Sequence, residues 1–356
     1  MGTKRPNSIL IVKLSAIGDV VHSLPLLEVL RKNFPEARID WVVEEESSEL
    51  IQAHKGIDHV IVSRRKSWQK NFFRKEDRSA AFREIIRFFR ELRSEEYELV
   101  IDLQGLFKSA LLTGLSRGKR KIGASGGREG SPLVLTEQPY PVGYNQHAVD
   151  RYLKITEYLK CSQNSWEGLI PIRESDRRSM DRLIHDNGIQ NKIKVAINPI
   201  ARWKTKLWEL NRFGILADRL QKELSCRVIF TGGRDDRANI DKIIARMEEK
   251  PVNLAGQTSL KELAYLYSIC GLLISTDTGP MHIAAAMDCP VIALFGPTAP
   301  WRTGPYGKGH KVIREGIECS PCFKKRCTNM ACMDNITADR VFDAVQQVFN
   351  DLRDPK

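Results

Sequence analysis

Short unbroken apolar runs alternate along the chain with stretches whose apolar residues recur every three or four positions. Ile9-Leu10-Ile11-Val12, closed by Lys13, reads as a buried strand. Val20, Leu24, Leu27 and Leu30 follow at helical spacing, with Pro25 in the early turns of that helix or kinking it. Further strands are predicted at 39–43, 60–62, 99–103 and 121–123. After a polar stretch around 173–192 the pattern restarts. Strands at 195–198, 227–231, 272–275 and 291–295 alternate with helices near 211–224, 236–248 and 259–270, and a last helix covers 337–352. Ser259 followed by Glu262 has the form of a capping box. Continuous apolar strands separated by helices imply parallel sheets covered on both faces. The expected class is therefore α/β, with two doubly wound Rossmann-like domains whose carboxyl strand ends face a shared central cleft. A length of 356 residues is too great for one core, and the expected divisions are 1–172, 173–335 and a C-terminal helix at 336–356.

Composition adds one constraint. With 42% hydrophobic and 28% charged residues the chain is an ordinary globular protein, and no apolar run approaches the roughly 20 residues that cross a bilayer. Lys13 and Asp19 interrupt what would be the apolar part of a secretory leader, which points to the cytoplasm. The net charge of +12 calls for an anionic partner: nucleic acid, an acidic membrane surface or a phosphorylated substrate. Much of it sits at 64–93, where 11 residues are basic and 4 acidic. Within that segment, 64–78 interleaves seven basic and two acidic residues with Trp68, Phe72 and Phe73, has no evident core to cover, and reads as a mobile flap over an anionic glycolipid. Phe82, Ile85, Ile86, Phe89 and Leu92 then recur at helical spacing and read as cover for a sheet.

The first strand is followed by Lys13-Leu14-Ser15-Ala16-Ile17-Gly18-Asp19 rather than G-x-G-x-x-G, and no P-loop pattern occurs, which disfavours a nicotinamide enzyme and a P-loop nucleotidase. In the second half, Ser275-Thr276-Asp277-Thr278-Gly279-Pro280 leaves a strand and opens a helix, with Gly279 as the expected cap and Pro280 as the first helical residue. The amides of that helix start and the hydroxyls of Thr276 and Thr278 suit a diphosphate, or serve only to cap the turn. Asp277 would repel phosphate and is expected to face sugar hydroxyls or amides. The loop 198–208 carries Arg202, Lys204 and Lys206 beside Trp203 and Trp208, as a phosphate clamp or a solvated loop. Thr231-Gly232-Gly233 permits close approach of a ligand. In the first half Asp19 is a general base or an N-cap, and His22 a helix-face histidine. No D-x-D pair is present, so lysine and a helix end would stand in for a metal. A base in one Rossmann-like half and a diphosphate site in the other is the logic of a glycosyl transferase that requires no cofactor for catalysis. Cys319, Cys322, Cys327 and Cys332 are compact enough for a structural zinc or iron–sulfur site, allow three disulfide pairings, and are more readily read as unligated thiols. Cys161, Cys226, Cys270 and Cys289 read as core residues.

The opening Ile11-Val12-Lys13-Leu14-Ser15-Ala16-Ile17-Gly18-Asp19-Val20-Val21-His22, the stretches Asp102-Leu103-Gln104-Gly105-Leu106-Phe107-Lys108-Ser109 and Asp277-Thr278-Gly279, and Gly296-Pro297-Thr298 together resemble the bacterial heptosyltransferases of glycosyltransferase family nine, nearly end to end. The resemblance implies a GT-B fold and inverting transfer of heptose from ADP-heptose to a Kdo (3-deoxy-octulosonic acid)-containing lipid A acceptor of the lipopolysaccharide inner core. It implies Asp19 as the base, Lys206 on the donor diphosphate with Lys204 nearby, and Asp277, Thr278, Gly279 and His282 lining the donor pocket. Ser15, Gly18 and Gln104, with the basic Arg64, Lys66 and Arg128, match the acceptor side. Attachment to the cytoplasmic face of the inner membrane follows, with no nucleic acid as partner. Asp40-Trp41-Val42-Val43-Glu44-Glu45, Arg64-Arg65-Lys66 and His147-Ala148-Val149-Asp150-Arg151 look most like the branch that adds the first heptose to Kdo. Cys319-Ser320-Pro321-Cys322-Phe323 looks more like the branch acting on heptosyl-Kdo-lipid A. Asn198-Pro199-Ile200-Ala201 departs from the family's phosphate loop, which leaves the roles of Arg202 and Lys204 open. The rival readings are a nucleotide-sugar epimerase on the same architecture and, from charge alone, a nucleic-acid binding protein.

Overall fold

The structure is a computed structural model and describes residues 5–74, 76–190 and 192–353. It forms two compact units, and the chain passes from one to the other at Pro171 and Ile172.

The first unit runs β1 (Ser8–Val12), α1 (Ile17–Val21), α2 (Leu24–Asn33), β2 (Arg38–Glu44), α3 (Glu45–Ser48), β3 (His59–Ser63), α4 (Arg65–Phe72), α5 (Arg78–Leu92), β4 (Glu96–Asp102), α6 (Phe107–Leu115), β5 (Arg117–Gly123) and α7 (Ala148–Tyr158). Its five strands are parallel, in the order β3-β2-β1-β4-β5. Ile9, Leu10, Ile11 and Val12 are wholly buried, as a strand covered on both faces requires. The expected single helix after β1 is two: Pro25 lies in the first turn of α2, where a missing amide costs nothing, so the chain restarts a helix there instead of bending one. The strand order reverses between β1 and β4, and the turns leaving those two strands are where a doubly wound sheet opens a crevice.

Two expectations fail on α4 and α5. The segment after Arg64 is helical, and Trp68 is buried on Phe88, ring centroids 5.2 Å apart, with its Nε1–H donated to Glu84 at 3.0 Å. It therefore has a core to cover. On α5 the buried positions are Ala81, Phe88 and Leu92, with Ile85 and Phe89 half-buried against them, whereas Phe82 and Ile86 lie outside the sheet-covering stripe.

The second unit runs α8 (Glu174–Asp186), β6 (Lys194–Asn198), α9 (Leu210–Leu224), β7 (Arg227–Phe230), α10 (Arg237–Ile244), β8 (Val252–Asn253), α11 (Leu260–Ser268), β9 (Leu272–Thr276), α12 (Gly279–Ala286), β10 (Val291–Phe295), α13 (Pro300–Thr303), β11 (Lys311–Arg314), α14 (Ala331–Asp334) and α15 (Ala338–Arg353). All strand pairs are again parallel, in the order β11-β10-β9-β6-β7-β8, reversing between β6 and β9. The polar stretch around 173–192 contains a helix, α8, which buries Asp176, Met180 and Ile184 one turn apart along a single stripe. The capping box at α11 forms in both directions: Ser259 N–H donates to Glu262 Oε2 at 2.7 Å and Glu262 N–H to Ser259 Oγ at 3.2 Å. The last helix packs within this unit, with Phe342 buried and the Arg219 guanidinium 3.9 Å from its ring centroid.

Candidate functional site

At the carboxyl edge of the first sheet, the turn after β1 is pinned by Trp41, whose Nε1–H donates to the Lys13 carbonyl at 3.1 Å, and by Glu44 N–H, which donates to Leu14 O at 3.0 Å. Lys13 is turned inward. Its Nζ donates to Leu103 O at 3.2 Å and to the Tyr152 hydroxyl at 2.7 Å, and lies 3.7 Å from Asp19 Oδ2. Burial holds the Lys13 ammonium below the usual lysine range, opposed by the charges of Asp19 and Asp102. Burial first, and then the Asp19 charge, push the Tyr152 hydroxyl well above the usual tyrosine range. Asp19 itself sits on the third residue of α1, where its Oδ2 accepts Ala16 N–H at 3.2 Å, and 37% of its side chain remains exposed. Capping and presentation to a substrate are thus compatible at this carboxylate. His22, expected on a helix face, is buried, its ring 5.0 Å edge-on from that of His147.

The turn after β4 meets the same edge. Asp102 Oδ1 accepts the amides of Gln104 and Gly105, both at 2.9 Å, and its Oδ2 accepts Ser109 Oγ–H at 3.0 Å. Burial raises the Asp102 carboxyl, and these three donors act against that rise. Gly105 has φ 64°, a conformation that favours glycine. Gln104 Oε1 accepts Ser15 N–H at 3.2 Å, joining the two turns. Lys108 Nζ donates to Ser15 Oγ at 2.5 Å and to Glu44 Oε1 at 3.1 Å, and Arg65 pairs with the same Glu44 oxygen at 3.2 Å. Ser15, Gly18, Asp19 and Gln104 are therefore gathered at one edge. Arg128 has an exposed side chain and joins that edge through its amide, which donates to Gly105 O at 2.9 Å. Arg64 and Lys66 are exposed and paired with Glu45 at 3.0 Å and Glu46 at 2.6 Å. Sequence reasoning missed Lys13, Glu44, Lys108 and Tyr152. Lys13 and Lys108 lay inside the quoted motifs but carried no local sign of their partners.

In the second unit the matching edge is formed by the turns after β6 and β9. Lys206, in a 3-10 turn (Lys204–Lys206), places Nζ 2.6 Å from Asp277 Oδ2, and Thr298 Oγ–H donates to the same oxygen at 2.6 Å. Asp277, expected to face sugar hydroxyls or amides, is instead turned to a lysine and a threonine hydroxyl, which offset its charge. Thr278, not Gly279, is the N-cap of α12; Gly279 is its first residue and Pro280 the second. Among the described residues the hydroxyl oxygens of Thr276 and Thr278 are buried without a hydrogen-bond partner. Two unused hydroxyls beside free helix-start amides are what a phosphate oxygen would fill. His282, on the first turn of α12, is buried. The Trp203 ring lies under Lys206 Nζ at 4.7 Å and under Lys325 Nζ at 5.1 Å, while Arg202 and Lys204 are exposed. The glycine loop after β7 is occupied by its own bonds, Gly233 N–H to Asp236 Oδ2 and Gly256 N–H to Gly232 O.

The four-cysteine segment gives the expected metal site no support. Among the described residues no three His, Cys, Asp or Glu side chains are gathered as metal ligands. Cys319 and Cys327 are exposed, Cys332 is buried on α14, and Cys327 Sγ–H donates to Asn329 O. Hydrogen bonds to backbone carbonyls tie this segment down: Ser320 Oγ–H donates to Gly296 O at 2.6 Å, the amides of Cys322 and Phe323 to Pro297 O, and Thr205 Oγ–H to Lys324 O at 2.8 Å. Cys226, Cys270 and Cys289 are core residues as expected, and burial pushes the Cys226 and Cys289 thiols up to about 11 and about 12; Cys161 is only half-buried.

Comparison with known proteins extends this picture. The model of glycosyltransferase family 9 (heptosyltransferase) matches residues 85–332. Lipopolysaccharide heptosyltransferase 1 of Pseudomonas aeruginosa is 32% identical over 332 residues, 90% of this chain and 87% of the relative. Among solved structures, a glycosyl transferase family 9 protein from Veillonella parvula superposes with a TM-score of 0.83 at 25% identity, covering 99% of both chains. An Escherichia coli heptosyltransferase solved with ADP superposes with a TM-score of 0.75 at 26% identity, covering 96% of this chain and 99% of the other.

Proposed function

The chain belongs to glycosyltransferase family 9, the heptosyltransferases, and from that premise we propose that it transfers L-glycero-D-manno-heptose from ADP-heptose to the Kdo of a lipid A acceptor, with inversion at the anomeric carbon. The observation that carries this reading is the Asp19 carboxylate, held by a buried lysine and yet more than one-third exposed at the carboxyl edge of its sheet. Asp19 takes the proton of the acceptor hydroxyl as that oxygen bonds to the anomeric carbon; the bond from that carbon to the ADP oxygen breaks, and ADP leaves with the electron pair. A general base of this kind contributes about 10²–10⁴-fold. The diphosphate charge that develops is met by Lys206, by the amides that open α12 and by the hydroxyls of Thr276 and Thr278. These groups are fixed before the reaction begins, and no catalytic cofactor enters the scheme. On the acceptor side, Ser15, Gly18 and Gln104 line the edge beside Asp19, and Arg64, Lys66 and Arg128 supply exposed cations for the carboxylates and phosphates of the glycolipid.

Among the described residues no helix is long and apolar enough to cross a membrane, and the proposed location is peripheral, on the cytoplasmic face of the inner membrane, where such an acceptor is held. The test is turnover by the purified chain with ADP-heptose and either Kdo-lipid A or heptosyl-Kdo-lipid A, with the anomeric configuration of the product read by NMR. Inverted transfer to Kdo-lipid A is expected. Turnover confined to heptosyl-Kdo-lipid A would move the chain to the second-heptose branch, and consumption of ADP-heptose without any acceptor would favour an epimerase.

A further inference from the structure

The two helices after β3 carry an apolar surface that the sheet does not use. Phe72 and Phe73, at the end of α4, are 45% and 85% exposed, with ring centroids 6.4 Å apart. On α5, Phe82 and Ile86 stand one turn apart, 57% and 36% exposed. Arg78 links the two groups. It lies one turn before Phe82, its Nε–H donates to Phe72 O at 3.2 Å, and its guanidinium is 5.3 Å from the Phe72 ring centroid. The patch is bordered by the exposed Arg74, Arg83, Arg87 and Arg90, none of which forms an ion pair among the described residues. Solitary exposed apolar residues are ordinary on a soluble protein, but four large ones on adjoining helix ends, with five arginines among them, are not.

We propose that this face of α4 and α5 docks on an anionic lipid bilayer, with the four apolar side chains at the boundary of the acyl region and the arginines against lipid phosphates. Charge selects this occupant over a second copy of the chain. A symmetric dimer would lay the same face on itself and oppose its own arginines, whereas an anionic leaflet neutralises them. The docking face is also tied to the Asp19 edge within one unit. Arg65, the first residue of α4, shares Glu44 with Lys108, and Lys108 holds Ser15. A glycolipid whose acyl chains stay in the leaflet would then meet the Asp19 edge with its sugar; only that last step rests on the proposed function, and docking itself does not.

The experiment is co-sedimentation of the full chain with vesicles of phosphatidylcholine alone and of phosphatidylcholine mixed with phosphatidylglycerol. The parent is expected to bind the anionic vesicles and to be released by salt. Phe73→Ser combined with Phe82→Ser should weaken that binding by about tenfold or more while leaving thermal unfolding unchanged, because both rings are exposed. Arg83→Gln combined with Arg87→Gln should weaken binding and reduce its salt dependence. Equal binding to both vesicle types, or no loss in the phenylalanine variant, overturns the proposal. So does a parent that ignores vesicles but self-associates through this face, seen as a dimer in sedimentation that the phenylalanine variant abolishes. Vesicle binding without any heptosyl transfer would leave the docking face standing and refute the proposed reaction alone.

Discussion

In the first unit the lysine of the edge pair is buried and the aspartate faces outward: Lys13 is 3% exposed, Asp19 37%, and they lie 3.7 Å apart. In the second unit the order is reversed, with Asp277 6% exposed and Lys206 17%, at 2.6 Å. Both pairs stand where the strand order of their sheet turns back on itself. The same two residue types, placed at equivalent points of two similar folds, thus leave opposite signs the more exposed. What decides the sign is which partner the fold desolvates. The buried partner is tied further into its unit, Lys13 by Leu103 and Tyr152 and Asp277 by Thr298, and the less buried partner keeps more of its surface open. A carboxylate presented in this way suits proton removal from a hydroxyl; a presented ammonium suits a diphosphate. Ion pairs of this degree of burial are weak evidence for stability, since desolvation offsets much of their attraction, which favours a functional account of their placement.

Variants can break this symmetry one member at a time. The largest effect is expected from Asp19→Asn, which keeps the shape and the hydrogen bond to the α1 start but removes the base, and should lower kcat by about 10²-fold or more in the transfer assay. Next, Lys206→Ala should weaken ADP binding by about 1.5–3 kcal/mol, the scale of a hydrogen bond to a charged group, when measured by titration calorimetry. Lys13→Met should cost about tenfold in kcat, because Asp19 loses its fixed counter-charge. Because burial holds Lys13 below the usual lysine range, rising pH discharges it earlier than a surface lysine, so parent turnover should decline on the alkaline side and that limb should vanish in Lys13→Met. The smallest effect belongs to Thr298→Val, which removes one bond to Asp277 and should weaken ADP binding by about 1 kcal/mol. An equal loss of kcat in Lys13→Met and in Thr298→Val would mean that the two pairs are not specialised.

Strand runs such as 9–12 and 291–295 were legible in the sequence because parallel strands buried on both faces must be continuously apolar. β8 and β11 were not: one is two residues long and the other, Lys311–Arg314, is an edge strand with only two apolar residues between charged ends. α8 escaped notice because Met180 and Ile184 are its only buried apolar residues. Trp68 looked unpartnered because its partner Phe88 lies 20 positions on, across the turn between α4 and α5. At the site, the residue types of Asp19, Lys206, Thr276 and Thr278 were readable as chemistry, but their pairings were not. Lys13 served in the sequence only to end an apolar run, and nothing local announces that it meets Tyr152, 139 positions away. Asp277 was read as a hazard to phosphate because Lys206 and Thr298, 71 and 21 positions distant, cannot be placed beside it by pattern. The metal reading of the cysteines rested on spacing alone, and spacing could not announce the hydrogen bonds from this segment to Gly296 and Pro297.

The reversed pairs make one measurement decisive: titration of ADP into the Asp19→Asn and Lys206→Ala variants, each compared with the parent. The account predicts that Asp19→Asn binds ADP as the parent does although it has lost turnover, and that Lys206→Ala binds ADP about tenfold or more weakly, as loss of a charge-assisted contact requires. Equal weakening in both variants, or parent-like binding by Lys206→Ala with loss in Asp19→Asn, would contradict it.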